Sequence, residues 1–351
     1  MTDIQLLTRI LGVTDTRYDR CSFNWICPGS LLEGLIQFGL ECPKPLEEQL
    51  RPEPPIGWDD SQHCFFANEL KRRIHMSNSY SDLEGRVVAI TGGGGAIGNA
   101  FVTGLAAAGM KVAILDLDEG KAIAAATQLE TEAIGLRCDV LDESSLKHVD
   151  GEIAKFLGDL DFLVNCAGGN HPAASTKADQ IGAASEEISD SFFEIDLDGF
   201  RQTLDLNLLG TVLPCKILGR RIAERAGGAI VNISSMNAFR PLTRIPAYSA
   251  GKSAVTNFTE WLAVHLAPSK VRVNAIAPGF FITEQLRYLA FEQDGSLTPR
   301  YERVLANTPM RRFGEPEELV GTLLYLLSEG SRFVTGVVIP VDGGFNAFSG
   351  V

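Results

Sequence analysis

Between Arg86 and Met110 the chain passes from the β-branched run Arg86-Val87-Val88-Ala89-Ile90-Thr91 through Gly92-Gly93-Gly94-Gly95-Ala96-Ile97-Gly98 into an amphipathic stretch carrying Phe101, Leu105 and Met110. Strand, tight turn and helix in that order constrain the fold more than any other segment. Glycines let a backbone approach a pyrophosphate closely, and a helix N-terminus supplies open N–H groups and the positive end of a dipole. A glycine run alone also suits a flexible loop, but its place between a strand and a helix argues against that.

The next apolar run, Lys111-Val112-Ala113-Ile114-Leu115-Asp116, ends in an acid about 20 residues on, where a dinucleotide fingerprint expects one. A carboxylate there accepts the adenosine ribose hydroxyls and repels a 2′-phosphate, which favours NAD over NADP. Asp116 as a mere cap of the following helix is the alternative. Further strands are predicted at Ala133–Cys138, Phe162–Asn165, Ala229–Ser234, Arg272–Ala277 and Val337–Val341, with helical stretches between them. Such alternation implies an α/β, doubly wound Rossmann-type domain with a seven-stranded parallel sheet. Ligands then bind beyond the carboxyl ends of the strands.

Tyr248 stands four residues before Lys252, and Ser235 lies thirteen residues before Tyr248. On a helix, positions i and i+4 share a face. The Lys252 ammonium is therefore expected beside the Tyr248 phenol, moving its pKa from about 10 toward neutrality. Tyr248 then serves as general acid or base, and the Ser235 hydroxyl holds a carbonyl oxygen beside it. Tyr-x-x-x-Lys also occurs as an exposed pair on ordinary helices; Ser235 after an apolar strand is what favours catalysis.

Together these residues resemble the short-chain dehydrogenase/reductase family from about Leu83 to the C-terminus. The glycine turn departs from the family pattern at Ala96, which replaces a middle glycine and is tolerable if its φ is negative. The resemblance implies that Gly92, Gly94, Gly95, Ala96, Ile97, Gly98 and Asp116 bind the cofactor. It also implies that Asp139 and Val140 meet the adenine, and that Asn165, Ala167 and Gly168 line the site in Asn165-Cys166-Ala167-Gly168. Pro278 and Gly279 flank the nicotinamide, Thr283 contacts its carboxamide, and Tyr248 and Lys252 reach its ribose. Asn207 joins Ser235, Tyr248 and Lys252 as the fourth catalytic residue, anchoring a proton-relay water. A homodimer or homotetramer built on the helices of Asn207 and Tyr248 is implied too.

Shorter signatures (Gly168-Gly169-Asn170-His171-Pro172, Ser235-Met236-Asn237-Ala238-Phe239, Pro278-Gly279-Phe280-Phe281 and the segment from Asp342) resemble the D-mannonate oxidoreductase, or fructuronate reductase, branch. That resemblance implies reduction of the D-fructuronate ketone to D-mannonate. A neutral polyol or acyl-carrier ketone is the alternative substrate. A non-catalytic dinucleotide sensor is disfavoured, because all four catalytic residues are present. Substrate contacts are expected from Asn170, His171, Ser235, Asn237, Arg244 and Tyr248. Arg244, and after it Arg240, is the candidate to grip a carboxylate; a solvent-facing arginine is the alternative. Asn170-His171-Pro172 also suits a plain turn. The acid-rich insertion Ala173–Gly199, including Asp179, reads as a solvated surface segment. Phe280–Glu315 reads as a mobile lid bearing Arg287, Arg300, Arg303, Arg311 and Arg312.

A net charge of −13 and a pI near 4.9 argue against nucleic acid and anionic membranes. An anionic substrate must then meet a local positive cluster. The expected partner is a small-molecule sugar acid. No apolar run is long enough to span a bilayer, and no signal peptide is evident, so the cytoplasm is the expected location. The seven cysteines lack finger or Cys-x-x-Cys spacing, and no metal is expected. Cys138, Cys166 and Cys215 read as buried apolar residues. Residues 1–80 form an N-terminal extension that does not fit the family, before a catalytic domain at 81–351. It holds Cys21, Cys27, Cys42, Cys64, His63 and a short predicted helix near Ser30–Phe38; metal binding there is disfavoured by irregular spacing. Met76 opens a run that looks like a family member's natural start.

Overall fold

The computed structural model describes residues 80–182, 188 and 191–350. The N-terminal extension, with its four cysteines and predicted helix, lies outside the described residues. Every predicted strand forms, with ends within one residue of expectation: β1 Val87–Thr91, β2 Lys111–Asp116, β3 Ala133–Arg137, β4 Phe162–Asn165, β5 Gly228–Ile233, β6 Val271–Pro278 and β7 Val338–Val341. They pair in parallel in the order β3-β2-β1-β4-β5-β6-β7.

β1 is buried along its whole length, which is why it reads as one apolar run rather than an alternation. Its successive side chains serve two cores. Val88 and Ile90 pack with Phe101, Leu105 and Leu323 on one face; Val87 and Ala89 pack with Leu146, Ile153 and Leu218 on the other. Period-two alternation thus divides one strand between two helical layers.

The helices are α1 Ala96–Ala107, α2 Glu119–Thr127, α3 Glu143–Phe156, α4 Leu197–Leu204, α5 Gly210–Glu224, α6 Pro246–Leu266, α7 Glu284–Ala290, α8 Pro299–Ala306 and α9 Val320–Leu327. Short acids start several of them. Asp118 accepts the Lys121 N–H, Asp142 that of Ser144, and Asp196 those of Asp198 and Gly199. Between α4 and α5, Asp205–Leu209 forms a π turn. The strand order reverses between β1 and β4, and the crevice beyond their carboxyl ends is where this topology takes its ligand.

The described part of the insertion after β4 is largely the exposed segment expected, anchored at a few points. Ala174 and Ser191 are buried, and Asp179 is held by three arginines. Residues 183–187 and 189–190, including Glu186, Glu187 and Asp190, lie outside the described residues. The lid is a small structure of its own. α7 and α8 enclose Ala290, Val304 and Phe313, and Gly314 bridges back to Phe281.

Candidate active site

The turn after β1 has no room for side chains. Gly92 adopts φ 66°, and a Cβ added there would stand 2.8 Å from the Ala167 Cα. A Cβ on Gly98 would overlap the Gly92 carbonyl oxygen, and one on Gly94 would sit 2.6 Å from the Lys121 Cβ. Gly95 caps α1 with φ −76° and offers no side chain. The first-turn N–H groups of Ala96, Ile97 and Gly98 therefore have no intrahelical acceptor and no side-chain cap. Ala96 is the first residue of α1 and lies outside the positive-φ set, so its methyl fits. A backbone cradle with open donors at a helix N-terminus fits a dinucleotide pyrophosphate.

Asp116 stands at the tip of β2. Its Oδ2 accepts the Gly94 N–H at 3.0 Å and its Oδ1 the Asp118 N–H at 3.0 Å. The side-chain cap of α2 is Asp118, not Asp116. The carboxylate is thereby fixed against the glycine turn, where a ribose would lie. Further round, Asp139 spends one carboxylate oxygen on the Leu141 N–H, and Val140 is buried against Gly210. Ala167 donates its N–H to Thr91 Oγ1 at 3.2 Å, tying the β4 loop to β1. Asn165 joins a buried network, its amide donating to Asn232 Oδ1 at 2.9 Å. Pro278 ends β6, and a Cβ on Gly279 would press on Asp342 at 2.7 Å. Thr283 caps α7 by accepting the Leu286 N–H at 3.1 Å.

Pro246 opens α6, a position that suits a residue without an N–H. Tyr248 and Lys252 follow one turn apart. The Lys252 Nζ stands 5.7 Å from the centre of the Tyr248 ring and donates to the Ile233 carbonyl at 2.7 Å. Ser235, buried after β5, accepts the Asn237 N–H at 3.2 Å, and its hydroxyl lowers the Tyr248 pKa. Asn207 sits in the π turn, fully buried. Its amide donates to the carbonyls of Gly169 at 2.6 Å and Thr203 at 2.8 Å. A Cβ on Gly168 would meet both Asn207 Oδ1, at 2.9 Å, and Lys252 Nζ, at 3.0 Å. Glycine there lets the β4 loop pass directly over Asn207 and Lys252.

The titration of this pair differs from the sequence expectation. Burial raises the Tyr248 pKa above its ordinary value, outweighing the lowering influence of the Ser235 hydroxyl, although the residue is only half-buried. Burial also pushes Lys252 down to about 8. The reason is geometric: Lys252 lies over the ring and is turned to Ile233, so desolvation dominates both groups. The protein alone presents a protonated phenol beside a lysine that titrates close to physiological pH.

On the substrate side the structure separates the candidates. Asn170 donates to Ser175 Oγ at 2.8 Å and to the His171 carbonyl at 3.2 Å, while its buried Oδ1 has no protein partner. His171 accepts the Ala173 N–H through Nδ1 at 3.2 Å, so its imidazole starts the turn Pro172–Ala174. Asn237 is 3% exposed and its Oδ1 is also unpartnered. Arg240 binds the C-terminal segment through Asn346 Oδ1 and the Phe348 carbonyl, both at 3.3 Å. Arg244 does not stand alone: its Nε donates to Asp179 Oδ1 at 2.6 Å. Asp179 was missed as a site residue. The arginine-rich lid facing an acidic insertion was the signal that pointed to it. Cys138 and Cys215 are buried as expected; Cys166 is half-buried. No metal-binding cluster occurs among the described residues. No helix among them is long and apolar enough to cross a membrane.

A dinucleotide cradle opening onto a Ser–Tyr–Lys constellation defines an oxidoreductase, and the chain belongs to the short-chain dehydrogenase/reductase family. A family model described as enoyl-(acyl carrier protein) reductase matches residues 94–346. More particularly, the chain is similar to an uncharacterized oxidoreductase, UxuB, of Bacillus subtilis, at 46% identity over 78% of this chain and 99% of that one. A solved Haemophilus influenza structure, provisionally described as a D-mannonate oxidoreductase and carrying bound NAD, is 42% identical with a TM-score of 0.74. That match covers 78% of this chain and 100% of the other. D-threitol dehydrogenase of Mycolicibacterium smegmatis is 34% identical over 75% of this chain and 94% of its own length.

Proposed function

We propose that the protein is a cytoplasmic, NAD-dependent oxidoreductase that interconverts D-fructuronate and D-mannonate, with Tyr248 as acid and base. The observation that carries this reading is Lys252 Nζ placed 5.7 Å from the Tyr248 ring, with Ser235 buried after β5, beside a cradle whose ribose end is closed by Asp116. The likeness to the NAD-bound Haemophilus structure supports both the cofactor and the substrate. The D-threitol dehydrogenase relative favours a second reading, a reductase of a neutral polyol.

In this reading Ala96, Ile97 and Gly98 bind the pyrophosphate through N–H groups and Asp116 accepts the ribose hydroxyls. A dinucleotide held there would supply or remove hydride at the substrate carbon. Ser235 donates a hydrogen bond to the ketone oxygen and fixes it against Tyr248; such preorganised donors stabilise the charge as it forms. Tyr248 delivers its proton to that oxygen in reduction and takes it back in oxidation. Its raised pKa suits the acid role. Lys252, beneath the ring, supplies positive charge while it stays protonated. Asn207 clamps Gly169 and so holds the loop that covers Lys252. Asn237 and Asn170, each with an unpartnered oxygen, receive substrate hydroxyls. Helices α5 and α6 form the interface of a homodimer or homotetramer.

The test is NADH oxidation by the purified protein with D-fructuronate, beside NADPH and neutral ketoses. Turnover confined to NADH and D-fructuronate is expected. Preference for a neutral ketose sinks the substrate assignment, and equal use of NADPH sinks the role of Asp116.

A further inference from the structure

Asp179 gathers three arginines from two other segments. Its Oδ1 accepts from Arg244 Nε at 2.6 Å and Arg300 Nη1 at 2.9 Å, and its Oδ2 from Arg303 Nη2 at 3.0 Å. Arg300 also donates to the Thr243 hydroxyl and carbonyl. The insertion after β4, the approach to Tyr248 and the lid after β6 thus meet at one carboxylate. All three leave the carboxyl ends of strands, the end where the substrate crevice opens.

Two features set this cluster apart from an ordinary surface ion pair. Arg244 holds φ 75°, a region that non-glycine residues enter only when their surroundings enforce it. The enforcement is visible: the Arg244 carbonyl accepts the Thr176 N–H at 2.9 Å while its guanidinium is held by Asp179. The charges also do not cancel. Three guanidiniums face one carboxylate, leaving a surplus of two positive charges on a chain of net −13. Burial alone would raise the Asp179 pKa, but Arg244 and Arg300 outweigh it and hold Asp179 below the usual carboxylate range. The Arg244 side chain is 41% exposed, and among the described residues no acceptor meets its Nη1 or Nη2.

We propose that Asp179 is a positioning residue: it fixes Arg244 by one edge, so that the Nη1–Nη2 fork receives the carboxylate of an acidic substrate. A fork held this way binds a carboxylate through two parallel hydrogen bonds. Asp179 contributes geometry, and Arg300 and Arg303 keep the local field positive. Without Asp179 the three cations repel one another and the fork loses its direction. This deepens the proposed function and rests on its acidic substrate.

The experiment compares the full-length protein with Asp179→Asn and Arg244→Asn. Steady-state kinetics are run with NADH, using D-fructuronate and a neutral ketohexose. Dinucleotide affinity by fluorescence and thermal unfolding are measured alongside. Asparagine tolerates the positive φ at position 244, so that variant removes the guanidinium without backbone strain. For both variants KM for the acid is expected to rise about tenfold or more, the scale of one lost charge-assisted contact. kcat, dinucleotide affinity and the neutral ketose are expected to stay within about twofold.

Equal losses on both substrates overturn the proposal and leave Asp179 a lid fastener. A fall in KM with Asp179→Asn also overturns it, because Asp179 would then compete with the substrate. A wild-type enzyme that ignores D-fructuronate but prefers another keto acid corrects the substrate alone, and the same comparison on that acid judges the cluster. A wild-type preference for neutral ketones over every acid removes the cluster's role.

Discussion

The cofactor half and the substrate half of the crevice are built from opposite materials. Around β1 and α1 the site is backbone: glycines where a Cβ would strike Ala167 or the Gly92 carbonyl, and N–H groups left open at a helix start. Around Tyr248 and the lid it is side chain: long arginines from separate segments converge on Asp179. A backbone site tolerates almost no substitution and recognises what its ligands share. A side-chain site is adjustable residue by residue. Within one fold, the first half suits a common cofactor and the second a particular substrate.

The largest expected effect strikes the seam between the halves. Tyr248→Phe should lower the reduction rate by about 10²–10⁴, the usual worth of a positioned acid, while dinucleotide binding followed by fluorescence is unchanged. Residual turnover near wild type would remove Tyr248 from the chemistry. On the backbone side, Gly98→Ala places a methyl against the Gly92 carbonyl. A cost near 3 kcal/mol, the upper range for overpacking, should appear in denaturant unfolding, together with weakened dinucleotide binding. Asp116→Asn removes the charge at the ribose end, and the preference for NADH over NADPH should shrink about tenfold; an unchanged ratio would refute its discriminating role.

The pH profile tests both halves together. Lys252 is pushed down to about 8, so its charge is lost above that value, while the raised Tyr248 pKa keeps the phenol protonated. kcat/KM for reduction should therefore fall as pH rises through about 8, and a profile flat to pH 10 would exclude this cause. The same shift acts on stability with a defined sign. Between about 8 and the ordinary lysine value the unfolded chain binds more protons than the folded one, so stability rises with pH there. The smallest effect belongs to Arg303, whose side chain is 66% exposed. Arg303→Ala should cost no more than about 1 kcal/mol, the ceiling for exposed pairs, as read by thermal unfolding.

What the sequence made legible follows the same division. The strands, the glycine turn and the Ser235–Tyr248–Lys252 spacing are local patterns, and the fold sets each within a residue of where periodicity puts it. The Asp179 cluster is not local: its partners lie 65, 121 and 124 residues away. Such convergence depends on three loops leaving neighbouring strands, and no spacing encodes it. The direction of the Tyr248 shift was illegible for a related reason. Helical spacing brings Lys252 under the ring, but whether attraction or desolvation prevails depends on what encloses the pair. Asn170 and His171 show a third limit: turn-forming residues and ligand-binding residues share the same chemistry.

The π turn at Asp205–Leu209 acts as a spacer one residue wide. Each residue of an α-helix advances by a hundred degrees. Removing Leu208 can be absorbed by a return to the ordinary spiral, which leaves everything after it in phase. Removing Val212, inside α5, has no such slack: Lys216 would inherit the buried place of Cys215, and Gly219 that of Leu218. A single-codon loss at Val212 should therefore leave insoluble protein, whereas the same loss at Leu208 should leave a folded one. For α5 the number of residues is more tightly constrained than for the turn that precedes it.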